Sequence, residues 1–353
     1  MSRLILFIIL FTVAVSGTSQ LTYTNPVTPD LNISDPFVLQ YNDEYYLYAT
    51  SNSGEGFRCW KSQNLVDWEP GGWIFRKTEK TWGQRNFWAP EVLFHQGKFY
   101  LFYSSSGKTL FGEGMRICVA VADNPTGPFH ELYAPLFDLG YGTIDAHVYI
   151  ENDQPYLYFE KVGAVGEFWK RKGYLWGMIF GVELAKDFSK PISEPKLCTY
   201  PEQAWEGPKS MWARSNEGMT VFKKDSLYYM MFSANHYADP NYAIGYATSD
   251  KPLGSLWVKY EGNPILKKNL QKGVSGPGHN SIIRSPDGQE LFIVYHTHML
   301  RDGFDAKKGI DPTEKEIIGR TINIDRLVFK ADESLEVLGP TRSPQPMPSG
   351  VKR

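Results

Sequence analysis

The chain has 353 residues, is 42% hydrophobic and carries a formal net charge of −2. So even a balance leaves no electrostatic footprint for nucleic acid or an acidic lipid surface. The three cysteines, Cys59, Cys118 and Cys198, are too few for a disulfide framework at this length. At most one pair forms, and Cys118, inside the apolar run ICVAVA, reads as a small buried hydrophobe.

The N-terminus places Arg3 before an apolar run from Leu4 to Val15, followed by the small residues Ser16 and Gly17. This predicts a secretory signal peptide over residues 1–19. The run is shorter than the ~20 apolar residues that cross a bilayer, and no later segment qualifies. A secreted or periplasmic protein without a membrane span is expected.

Five times the remaining chain repeats one phrase: a polar head, an apolar strand, a turn and a second apolar strand. The copies are SDPFVLQYNDEYYLYATS from Ser34, APEVLFHQGKFYLFYSS from Ala89, IDAHVYIENDQPYLYFEK from Ile144, NEGMTVFKKDSLYYMMFSAN from Asn216 and GHNSIIRSPDGQELFIVYHTH from Gly278. Their heads are Asp35, Glu91, Asp145, Glu217 and His279. A period of roughly 50–70 residues with strand pairs predicts an all-β, five-bladed β-propeller.

Outer strands follow each phrase, in RCWKSQNLVDWEP, CVAVADNPTGPF, GVELAKDFSKP, YATSDKPLGSLW and INIDRLVF. No linker separates the copies, so residues 20–340 are expected to form a single propeller domain. The Pro-rich stretch 341–353 is expected to be a loose tail. The segment Leu21–Val27 either completes the last blade beside TINIDRLVF or leaves the first and last blades to pair without a shared strand.

If each head opens the innermost strand of its blade, all five converge on one end of the channel. That brings Asp35, Asp145 and Glu217 around one cavity. Hydrolysis of a glycosidic bond uses two such carboxyl groups, one protonating the leaving oxygen and one activating water or attacking the anomeric carbon. The acid must keep its proton near neutrality, through burial or a neighbouring negative charge.

The motifs ISDPFVLQYNDEYYLYATS, FWAPEV, IDAHVY, NEGMTVFKKDSLYYMMFSAN, GPGHNSIIRSPDGQELFIVYHTH and GRTINIDRLVF resemble the successive signatures of glycoside hydrolase family 43, in order and over essentially the whole mature chain. The resemblance implies a five-bladed propeller and an inverting glycosidase that acts on arabinose-, xylose- or related sugar-containing oligo- or polysaccharide. By the same resemblance Asp35 is the general base, Asp145 tunes and orients the acid, and Glu217 is the general acid. Met219 stands where the family usually has Pro. Glu206, in WEGPK, shares the Glu-Gly-Pro wording but leads into no strand phrase at the required spacing.

Other positions follow from the same likeness. Trp88 matches an aromatic of the sugar subsite, with a packed blade tryptophan as the alternative. Arg320 matches an arginine that reaches the substrate-binding site. His296, two residues before His298, is assigned to hydrogen bonding with substrate or structure. His279 resembles a histidine near a central ion, often calcium, in some members. Calcium prefers oxygen, so such a contact would run through water. No cofactor is required, although a structural calcium fits the resemblance. The competing class, a non-catalytic carbohydrate-binding propeller, predicts loss of at least one carboxylate, and all three are present.

Overall fold

The computed structural model describes residues 21–110, 112–162, 177–207, 214–254 and 256–351. The expected signal peptide lies outside these residues. Twenty of the strands form five four-stranded antiparallel sheets, each built from consecutive strands. The first blade holds β2 (Ser34–Tyr41), β3 (Glu44–Asn52), β4 (Gly56–Ser62) and β5 (Glu69–Arg76). The second holds β6 (Arg85–His95), β7 (Lys98–Thr109), β8 (Gly112–Ala122) and β9 (His130–Tyr133). The third comprises β10 (Gly142–Glu151), β11 (Gln154–Val162), β12 (Met178–Glu183) and β13 (Lys196–Thr199). The fourth comprises β14 (Asn216–Lys224), β15 (Leu227–Ala234), β16 (Ala243–Ser249) and β17 (Val258–Lys259). The last comprises β18 (Gly278–Arg284), β19 (Leu291–Leu300), β20 (Ile317–Phe329) and β21 (Leu335–Val337). The protein is therefore an all-β, five-bladed propeller.

Local chemistry explains the hairpins. Asn42–Asp43 and Asn152–Asp153 both take positive φ at two successive residues, and Gln96–Gly97 does likewise. That backbone twist matches antiparallel strands, and Asn, Asp and Gly tolerate it best. Packing then closes the ring. One apolar cluster fills each seam between neighbouring blades, as where Phe57 of the first blade meets Tyr103 of the second edge-on at 5.5 Å. Truncating such a ring to Ala costs about 3–5 kcal/mol. The first strands of successive blades also touch, β18 meeting β2, so the blades line one central channel.

Of the two possibilities left open for Leu21–Val27, the structure shows the one without a shared strand, and the expectation of a loose C-terminal tail is corrected. Leu21–Val27 adds no strand to the last blade. Instead β1 (Thr22–Tyr23) pairs with β22 (Gln345–Pro346), while the Val27 N–H donates to Ile322 O at 2.9 Å. The stretch 341–351 is not loose. Thr341 Oγ1 donates to buried Asp325 at 2.6 Å, Arg342 Nη1 donates to Asn323 Oδ1 at 2.7 Å, and the Ser349 N–H donates to Glu290 Oε2 at 2.8 Å. A proline-rich composition misleads here because buried acceptors in the last blade draw the chain back. All three cysteines are buried and free.

Candidate active site

Each blade opens with a β-bulge at the same end of the channel. In β2 the register slips between Ser34 and Phe37, in β10 between Ile144 and His147, and in β14 between Glu217 and Thr220. The bulged residues are left-handed, with φ of 55° at Asp35, 47° at Ala89, 56° at Asp145, 54° at Gly218 and 47° at His279. Left-handed backbone at a non-glycine residue is strained, and such strain gathers at functional sites. A bulge also re-aims its side chain.

This register corrects two of the five heads. In the second blade the bulged residue is Ala89, not Glu91; Glu91 holds the position that His147 holds in the third. In the fourth blade it is Gly218, so Glu217 stands one residue ahead of Asp35 and Asp145 in the repeat. The reason is steric. A Cβ on Gly218 would lie 2.9 Å from the His279 ring, so the bulge takes glycine and the carboxylate moves to its neighbour.

The three carboxylates nonetheless meet. Asp145 Oδ2 accepts the Gly218 N–H at 3.1 Å. The Nδ1 of His279 lies 3.6 Å from Asp35 Oδ1 and 3.8 Å from Asp145 Oδ2, placing the imidazole between them. Tyr242 donates its hydroxyl to Glu217 Oε1 at 2.6 Å. Asp35, Asp145 and Glu217 are each 8–9% exposed, so they reach the channel mouth while mostly desolvated.

Their environments differ. Burial alone would raise the Asp35 carboxyl, but Arg320 Nη1 donates to its Oδ1 at 2.9 Å. With His279 and His296 adding to it, that guanidinium holds Asp35 well below the usual carboxylate range. Glu217 is pushed up to about 7, by burial first and then by the Asp35 charge, against hydrogen bonds from Tyr242 and Ser215. Burial also drives Asp145 well above its ordinary value, with repulsion from Glu217 and Asp35 added. Asp145 and Glu217 thus compete for protons.

The remaining expected residues separate into two groups. Arg320 reaches the site through Asp35, and its guanidinium also lies 4.9 Å from the Tyr237 ring centre. Trp88, half-buried, occupies in β6 the register position of Glu217 in β14. His296 does not line an open subsite. Its ring is fully buried, its Nδ1 accepts the Asp35 N–H at 3.2 Å, and it stacks on Tyr242 at 5.7 Å. Strand alternation aims it inward behind the bulge, where it fixes Asp35. Glu206 is fully buried too, paired with Lys259 and capping the Glu202 and Gln203 N–H groups.

For calcium, the described residues supply no group of three or more His, Cys, Asp or Glu side chains able to hold a metal. His279 presents nitrogen where calcium prefers oxygen. These side chains do not form a calcium cage.

Sequence reasoning missed Tyr242, Ser215 and Tyr237. Tyr242 lies in the quoted stretch NYAIGYATSDKPLG, and only the closure of the ring carries it to Glu217. Tyr237, 47% exposed, helps line a cavity of about 400 Å³ with His236, His298, Glu314 and Arg320. A larger cavity of about 870 Å³ opens at the opposite, hairpin end, beside Gln40, Lys223 and Arg284, and holds none of the bulged residues.

Comparison with known proteins agrees with this geometry. The sequence pattern of "Glycosyl hydrolases family 43" matches residues 23–335. A β-D-galactofuranosidase of Aspergillus niger is 29% identical over 81% of this chain and 79% of its own length. An extracellular exo-α-(1→5)-L-arabinofuranosidase of Streptomyces avermitilis is 26% identical over 80% of this chain, which spans only 57% of that relative. A crystal structure of a thermostable family-43 glycoside hydrolase superimposes with a TM-score of 0.82 at 44% identity, covering 94% of this chain and 100% of that one. The repeat, the ring of bulges and these likenesses converge: the chain belongs to glycosyl hydrolases family 43.

Proposed function

We propose that the protein is an inverting glycosidase that removes arabinosyl, xylosyl or related sugar residues from oligo- or polysaccharide. One observation carries the reading. Two carboxyls at one channel end have proton affinities driven apart, Asp35 downward beside Arg320 and Glu217 upward to about 7 by burial. That is the division between a base and an acid. Asp35 takes a proton from water as its oxygen attacks the anomeric carbon. Glu217 gives its proton to the leaving oxygen as the glycosidic bond breaks. Asp145 orients Glu217 by holding the Gly218 N–H.

Relatives named for arabinofuranosidase, β-xylosidase, arabinanase and galactofuranosidase activity support this range of sugars. These proton transfers need no cofactor. Relatives described as extracellular and the N-terminal leader pattern support secretion or a periplasmic location. Assay on aryl arabinofuranosides, xylosides and galactofuranosides, with NMR of the first-formed sugar, tests the reading. Turnover with inverted configuration is expected. Retention would recast Asp35 as a nucleophile, and absence of turnover across the panel would favour a carbohydrate-binding propeller.

A further inference from the structure

One loop of the fourth blade reaches the surroundings of both Asp35 and Glu217. Residues 235–242 join β15 to β16. Near its start the Tyr237 ring centre lies 4.9 Å from the Arg320 guanidinium, the group that donates to Asp35 Oδ1 at 2.9 Å. At its end Tyr242 donates its hydroxyl to Glu217 Oε1 at 2.6 Å. Between the two the backbone is cross-braced. The Asp239 N–H donates to His236 O at 2.8 Å, the Tyr242 N–H to Asp239 O at 2.9 Å, and Asn235 Nδ2 to Asn241 O at 2.9 Å. A loop tied in this way shifts as a piece, so what holds Tyr237 also sets Tyr242.

What holds Tyr237 is His298. This buried side chain stands directly opposite Arg320 in the last blade, on β19 against β20. Its Nε2 lies 2.8 Å from Tyr237 O, and a carbonyl only accepts, so Nε2 carries the proton. Its Nδ1 then accepts the Ser275 hydroxyl at 3.0 Å, which fixes the tautomer. Gly276 covers the ring closely, since a Cβ there would fall 2.2 Å from it, and the Gly276 N–H donates to Pro240 O at 3.1 Å in the same loop. The charged or titratable groups facing His298 are Arg320, Asp239 and His296. Burial holds the imidazole down to about 4, so it is neutral near pH 7 and the clamp does not itself titrate there.

We propose that His298 is a positioning residue: by holding Tyr237 O it sets the 235–242 loop, which seats Arg320 against Asp35 and Tyr242 against Glu217 at once. This rests on Asp35 being the base and Glu217 the acid. Facing Asp35 are Arg320, His279, His296, Asp145 and Glu217. Facing Glu217 are Tyr242, Asp35, Arg320, Asp145 and Glu160. The loop governs one group on each carboxyl, the Arg320 guanidinium through the Tyr237 ring and the Tyr242 hydroxyl directly. Both of those groups favour the ionised carboxylate, so releasing the loop raises both proton affinities. A base that ionises less readily loses activity at a higher pH on the acidic side. An acid that grips its proton keeps activity to a higher pH on the basic side. The whole bell therefore moves upward.

The pH dependence of kcat/KM, with thermal unfolding of each variant, tests this. His298→Phe keeps a ring and removes the Nε2 donor, so both limbs should move upward together by about one pH unit. Tyr237→Leu should move the acidic limb alone, and Tyr242→Phe the basic limb alone. His298→Gln keeps a side-chain N–H within reach of Tyr237 O and should restore both wild-type limbs. Limbs that stay in place in His298→Phe, or a single limb that moves, overturn the proposal. So does an unmoved acidic limb in Tyr237→Leu. A His298→Gln variant as displaced as His298→Phe assigns the effect to packing and overturns it too. If His298→Phe does not fold, Ser275→Ala carries the test. It frees Nδ1 and loosens the imidazole, so both limbs should still move upward, and unmoved limbs overturn the proposal. Failure of the base-and-acid reading shows separately, as limbs that stay in place in Arg320→Met and Tyr242→Phe, where the contacts to Asp35 and Glu217 are removed directly.

Discussion

The guanidinium of Arg320, in the third strand of the last blade, donates to Asp35 Oδ1 in the first strand of the first blade at 2.9 Å, across the seam that closes the ring. As the proposed base, Asp35 must be ionised to take a proton from water. Its proton affinity is depressed, so activity is lost only as pH falls through that low value. Without the cation, burial dominates and the affinity rises. Arg320→Met should therefore move the acidic limb of kcat/KM to higher pH by at least about one unit. An unmoved limb would show that Asp35 is not the titrating base. Asp35→Ala should lose at least about 100-fold in turnover with an unchanged melting profile.

Asp145→Asn separates charge from shape. The amide oxygen can still accept the Gly218 N–H, but the negative charge beside Glu217 is gone. If Asp145 is ionised while Glu217 works, Glu217 should release its proton more easily. The basic limb, expected near 7 in the wild type, should then move to lower pH. A limb that stays in place would put the shared proton on Asp145.

Much of this was legible in the sequence, because five strand phrases with strand-like periodicity and Asn-Asp or Gly turns imply repeated hairpins. The site was legible only to within a residue. Repeat spacing aligned Glu217 with Asp35, yet the bulged residue is Gly218, because the His279 ring leaves no room there for a Cβ. The same spacing chose Glu91 where the bulge takes Ala89. Whether His296 bonds substrate or structure was not legible, because alternation fixes a side, not a depth.

Glu206 and Glu217 share the Glu-Gly wording and should fail in different ways. Glu206→Ala leaves the buried Lys259 ammonium without its carboxylate, a loss of about 3–5 kcal/mol. It should lower the melting temperature and reduce activity on every substrate alike. Glu217→Ala should spare substrates with good leaving groups, which need little protonation, and cripple natural glycosides. Rates on a leaving-group series beside melting curves decide the assignment. A leaving-group dependence in Glu206→Ala that is absent from Glu217→Ala would reverse it.

The C-terminal stretch should matter for stability more than for chemistry. Asp325 is 1% exposed and gathers donors from Tyr295 at 2.6 Å and from Thr341 through both its hydroxyl at 2.6 Å and its N–H at 3.3 Å. Thr341→Val removes the hydroxyl and leaves Oδ1 short of its main donor, at a cost of about 1–3 kcal/mol. Truncation before Thr341 strips both donors, deletes the strand that pairs with Thr22–Tyr23, and removes Ser349 from Asp287 and Glu290. Thermal unfolding should rank wild type above Thr341→Val and Thr341→Val above the truncation. Wherever protein remains folded, the pH–rate limbs should not move, because none of these groups touches Asp35, Asp145 or Glu217. Equal melting temperatures for the truncation and the wild type would return residues 341–353 to the status of a loose tail.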